Sequence, residues 1–141
     1  MITTLLTLLT LMFSGITTNS SETLDDLRWK NRIVLVSQGE DPIQFSRQMK
    51  ELVTNEESLI DRHMLIFKVE GDQLIEAGND AKIEIDSRTA KKYQLREGVF
   101  EVILIGKDGG VKLRENSLVE QEKIFALIDT MPMRQAEMRR Q

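Results

Sequence analysis

The chain has 141 residues, no cysteine and a single histidine, and its 19 basic and 23 acidic side chains leave a formal charge of −4. These numbers exclude disulfides, a thiolate nucleophile and a thiolate metal site, and one histidine cannot make the usual zinc site without several partners. The acidic balance argues against a general nucleic-acid binder, which needs a basic footprint, while the length suits one domain with a core that stands without staples.

Met1 to Ser21 carry no charged side chain, and Leu5, Leu6, Leu8, Leu9, Leu11, Met12 and Phe13 form an apolar run ahead of small polar residues. That pattern reads as a secretory signal peptide over residues 1–20, cut near Thr17 to Ser20, although the segment lacks a basic start and an A-x-A site. The run is too short to cross a bilayer comfortably, so no transmembrane span is expected in the mature protein. The expected location is the periplasm or the extracellular space.

After a polar lead-in, Ile33 to Val36 run without interruption, as a strand buried on both faces would. Asp41 followed by Pro42 supplies a cap and a first-turn proline, and Phe45, Met49, Leu52 and Val53 recur at helical spacing behind them. A short further turn of helix is expected through Leu59 and Ile60. Met64 to Val69 form a second buried strand, ended by Gly71 and Asp72. The stretch from Gln73 to Asp86 is less regular, although Lys82 to Ile85 alternate as a short strand would, and Ser87 is placed to cap a brief helix.

Val99 to Ile105 read as a third strong strand, followed by a Lys107-Asp108-Gly109-Gly110 turn and an edge strand over Val111 to Arg114. Ser117 and Glu120 have the spacing of a capping box for a last helix carrying Ile124, Leu127, Ile128 and Met131. Pro132 is expected to end that helix and to leave a mobile, charged tail. The division is thus a signal peptide over 1–20, a domain over 21–132 and a tail over 133–141. The fold class is α/β: a thioredoxin-like αβ sandwich whose mixed sheet holds a parallel βαβ unit followed by a ββα unit.

Three stretches carry a family resemblance. Leu27-Arg28-Trp29-Lys30-Asn31-Arg32 running into Ile33 to Val36, Val102 to Arg114, and Phe125-Ala126-Leu127-Ile128-Asp129 with Met131-Pro132-Met133-Arg134 resemble the bacterial DUF4174 domain. His63 departs from the pattern, which has an acidic residue after Arg62. The resemblance implies a thioredoxin-like or peroxiredoxin-like fold, export from the cytoplasm and kinship with domains of animal extracellular matrix proteins. It supplies no catalytic residue.

In a thioredoxin-like fold the reactive thiol lies after the first strand, where this chain has Gly39, Glu40, Asp41 and Pro42. Two readings follow. Asp41 can cap its helix beside a solvated Glu40, or the two carboxylates can do acid–base work or hold a hard cation. At the other pole the fold would collect Arg28, Lys30, Arg32, Arg62, Lys107 and Lys112 with His63, a basic end for an anionic partner unless Asp108 or Asp129 neutralises some of them. Trp29, the only tryptophan, is expected to pack beside the core. The expected function is a non-catalytic, thiol-free binding or structural module of the cell envelope, without cofactor or metal, whose partner is an unknown protein or an anionic envelope component. A carboxylate-dependent enzyme, with or without a metal, is the alternative.

Overall fold

The computed structural model describes residues 22–141. The expected signal peptide lies outside them. Among the described residues, strands β1 (Arg32–Ser37), β2 (Met64–Glu70), β3 (Gln73–Glu76), β4 (Lys82–Glu84), β5 (Glu101–Ile105) and β6 (Val111–Glu115) form one sheet in the order β4-β3-β2-β1-β5-β6. β1 is central, which is why Ile33 to Val36 are apolar without interruption: it pairs in parallel with β2 and antiparallel with β5, and all of its residues, Arg32 and Ser37 included, are buried.

Because side chains alternate across a strand, β1 feeds two cores. Val34 and Val36 join Ile66, Val102 and Leu104 on one face, beneath helices α2 (Pro42–Leu52), α3 (Glu56–Asp61) and α5 (Gln121–Asp129). Ile33 and Leu35 join Phe67, Ile103 and Ile105 on the other, beneath α1 (Leu24–Leu27) and beneath Tyr93 and Leu95, which follow α4 (Ser87–Lys92). The parallel βαβ unit and the closing ββα unit stand as expected. β3 and β4 extend the sheet beyond β2, which turns back through Gly71 at a φ of 59°.

Three local expectations give way, the first of them to a tertiary contact. Ser117 does not cap the last long helix. α5 begins at Gln121, with Glu120 at its cap position and no side-chain cap bond. The backbone before it is held instead by the buried Gln48 of α2. Val119 N–H donates to Gln48 Oε1 (2.7 Å), and Gln48 Nε2 donates to the Val119 carbonyl (2.9 Å). Asp86, not Ser87, caps α4 by accepting from Thr89 N–H (2.7 Å).

Residues 133–141 are not a mobile extension, because Pro132 opens a helix, α6 (Pro132–Arg139), rather than closing one. Proline lacks the N–H that a first-turn residue would leave unpaired anyway, so it starts helices as readily as it stops them. α6 packs at the pole where β1 and β2 begin, with Arg134 buried beneath it.

Candidate functional site

The fold has two functional candidates, one at each end of β1. At its carboxyl end the chain turns through Gly39 to Pro42 into α2. Asp41 accepts from Ile43 N–H (2.9 Å), and Pro42 takes the first helical position. The Asp41 carboxylate is therefore bonded to its own helix. Glu40 is exposed beside it.

Gly39 is required by close approach. A Cβ there would stand 2.8 Å from the Phe100 backbone nitrogen and 3.0 Å from the Phe100 Cβ. Backbone cannot swing aside as a side-chain tip can, so Gly39→Ala should destabilise by about 1–3 kcal/mol, the usual cost of overpacking. Urea unfolding checks this, and an unchanged midpoint would mean that the loop and Phe100 separate freely.

A groove of about 670 Å³ runs beside this loop, lined by Ser37, Gly39, Asp86, Leu95 and Arg96 among others. Glu40 and Asp41 are not among its walls. Of its charged groups, Asp86 and Arg96 are engaged elsewhere, while the exposed Asp72 and Glu97 line it with no side-chain partner among the described residues. Asp86 is the α4 cap, and the Thr89 backbone N–H holds its carboxyl below the usual range. Arg96 binds Glu101 (3.0 Å), a buried carboxylate that also accepts from Arg114 and Asn116. Among the described residues no cluster of His, Asp or Glu is placed to hold a metal ion.

The opposite pole gathers the six basic residues singled out in the sequence, and four of them are paired within the chain. Arg32, 1% exposed, binds Glu137 of α6 (3.1 Å) and donates to the Arg62 carbonyl (2.9 Å). Lys107 reaches the same carboxylate (2.6 Å) and donates to His63 Nδ1 (2.7 Å). An ammonium has no lone pair, so Nδ1 is the acceptor and the ring proton sits on Nε2. Arg62 grips Asp129 through Nε (3.1 Å) and Nη2 (2.8 Å), with its guanidinium over the Phe125 ring. Lys112 pairs with Asp108 (2.9 Å).

Arg134 joins this set by bridging Asp129 (3.1 Å) and Asp61 (2.6 Å). Sequence reasoning found Asp108 and Asp129 as neutralising groups but missed Glu137, Asp61 and Arg134. The available signal was a helix-forming stretch after Pro132 with Arg134 and Glu137 one turn apart.

Arg28 and Lys30 remain exposed, with no ion pair among the described residues. Between them, Trp29 is 59% exposed and is not a core anchor. Its φ of 69° is a left-handed conformation that bulky side chains avoid. A bond from its N–H to the Lys107 carbonyl (2.7 Å) holds it there, with the Arg28 guanidinium 5.2 Å from the indole centroid.

Residues 23–137 match the model of a family described as a domain of unknown function, DUF4174. Among curated proteins the chain is similar to coiled-coil domain-containing protein 80 of Danio rerio, at 27% identity over 133 residues. The match takes in 82% of this chain and only 15% of that protein's length. Among solved structures it is similar to the reduced 2-Cys peroxiredoxin of Plasmodium vivax, with a TM-score of 0.55, 15% identity and coverage of 80% of this chain and 84% of that one. Thioredoxin peroxidase I of Plasmodium yoelii aligns equally well, with a TM-score of 0.55, 18% identity and coverage of 80% and 79%. These likenesses show the thioredoxin-like fold.

Proposed function

Because the chain belongs to the DUF4174 family, whose function is unknown, we propose from its own geometry that it is a non-catalytic, thiol-free binding module of the cell envelope. The observation that carries this is the state of Asp41. At the place where thioredoxin-like folds hold a thiol, this chain has a carboxylate bonded to the first turn of its own helix. With no cysteine anywhere in the 141 residues, it has no sulfur nucleophile for the chemistry named in its structural neighbours. The alternative of a carboxylate enzyme loses support because neither Glu40 nor Asp41 faces the adjoining groove.

The binding end is the pole that carries Arg28 and Lys30, and the partner is anionic. The apolar segment at the start of the chain directs export. Two measurements test these claims. Peroxide consumption and insulin reduction in the presence of dithiothreitol should stay at the buffer rate, and turnover well above it would end the non-catalytic claim. Sedimentation with phosphatidylglycerol vesicles should be strong at low salt and weak at high salt. Reversing both charges (Arg28→Glu with Lys30→Glu) should abolish it, and binding that survives would place the partner elsewhere.

A further inference from the structure

We propose that Arg28 and Lys92 form a discrete site for a phosphate group at the tip of the β5–β6 hairpin, over Gly109. This rests on the reading of that pole as an anion-binding end and names the group it takes. The two cations come from different parts of the chain, Arg28 from the end of α1 and Lys92 from the last turn of α4. They converge on one point. The position that a Cβ on Gly109 would occupy lies 3.4 Å from Arg28 Nε and 3.5 Å from Lys92 Nζ. Gly109 has a φ of 83°, so a left-handed turn residue without a side chain leaves that space open between the two nitrogens.

The surroundings are rigid, as a selective site requires. Tyr93, next to Lys92, is buried and donates its hydroxyl to the Gly109 carbonyl (3.0 Å), which ties α4 to the hairpin tip. The Lys92 ammonium lies over the Tyr93 ring at 5.1 Å. On the other side, the strained Trp29 backbone is fastened to Lys107, one residue beyond the start of the same turn. A sparsely populated backbone conformation persists where its surroundings over-determine it, and such residues cluster at ligand clamps.

Neither Arg28 nor Lys92 has an ion pair among the described residues, although the nearby Arg32, Arg62, Lys107 and Lys112 all do. The Asp108 carboxylate of the same turn is bonded to Lys112 Nζ and to Gly110 N–H. Arg28 lies within its field but makes no bond to it. A guanidinium edge and an ammonium facing one gap suit a tetrahedral oxyanion. Arg28 Nε–H and the Lys92 ammonium can each donate to one oxygen of it.

The only tryptophan in the chain sits against Arg28 and reports on the site. The full protein is titrated with inorganic phosphate against chloride of equal ionic strength, and separately with phosphatidylglycerol and phosphatidylcholine vesicles, while Trp29 emission is followed. The expected result is a saturable change that weakens at least about tenfold in Arg28→Gln and in Lys92→Gln, the loss of one charge-assisted bond. It is unaffected in Lys82→Gln, which removes an equal charge from the far sheet edge. A response to inorganic phosphate identifies a free phosphate or phosphorylated small molecule as the source, and a response to phosphatidylglycerol alone identifies a lipid headgroup. No response to either, or equal weakening in Lys82→Gln, overturns the site. In the second case the vesicle binding tested above can still stand as a diffuse charge effect, so the two failures are distinguishable.

Discussion

Glu137→Ala should lower the unfolding free energy by about 3–5 kcal/mol, the cost of leaving buried charge without its partner. Glu137 is a single carboxylate shared by Arg32 and Lys107, and it is 13% exposed in its own side chain. Its removal strands a guanidinium in the sheet and an ammonium beside His63, whose Nδ1 is a weaker partner than a carboxylate. The Arg62 carbonyl still accepts from Arg32, which keeps the loss from being larger. Urea unfolding should show a lower midpoint with little change in slope. Lys123→Ala, which breaks the exposed pair with Glu115, is the comparison and should cost no more than about 1 kcal/mol. If Glu137→Ala costs as little, α6 lifts off readily and water reaches Arg32.

The same clasp sets an acid limit. Burial pushes the Glu137 carboxyl up, but the bonds from Arg32 and Lys107 outweigh it, and the group titrates below its ordinary value. Asp129 follows the same pattern, with Arg62 and Arg134 overcoming burial, and Asp61 is lowered by Gln141 and Arg134. A carboxylate lowered by folding contributes stability that is complete above its unfolded value and is lost as pH falls through its folded value. The clasp therefore holds at neutral pH and releases below the usual carboxylate range. In Glu137→Gln this part of the acid dependence should flatten.

What the sequence discloses and what it hides follow from range. β1 and β5 are legible because a strand buried on both faces is apolar in its interior, a local property of Ile33 to Val36 and Val102 to Ile105, and β2 because Met64 to Phe67 run apolar before Lys68. Asp41 and Pro42 are legible because a cap acts on its own next turn. Ser117 misleads for the opposite reason. Its capping-box spacing is real, but Gln48 binds the backbone at Val119, 71 residues further along the chain, and wins. β3 is four residues long and is held by pairing to β2, so it leaves almost no periodic trace. The basic pole was visible as composition, but its neutralisation was not. Arg32 meets Glu137 across 105 residues, and no spacing rule reaches that far. Trp29 is similar: nothing in Arg28-Trp29-Lys30 announces the left-handed turn that presents the ring outward.

Glu101→Ala should be the other severe lesion, again about 3–5 kcal/mol. The side chain is 4% exposed, and three donors from different places converge on it: Arg114 from β6, Arg96 from the loop after α4, and Asn116 from the end of the hairpin. Arg114 also donates to the Tyr93 carbonyl, so this guanidinium links β6 to the end of α4, and the carboxylate keeps it there. Glu101→Gln keeps the volume and one acceptor but turns an amide N–H toward arginine, so it should recover only part of the loss. Arg96→Ala should cost far less, because that side chain is largely in water and its pair is screened. Hydrogen exchange gives the sharper test. β6 pairs only with β5, so losing the Glu101 anchor should raise exchange along Val111–Glu115 before it affects β1. A Glu101→Ala protein as stable as its parent, with β6 still protected, would mean that Arg114 turns out to solvent at the sheet edge and that the backbone ladder alone holds the strand.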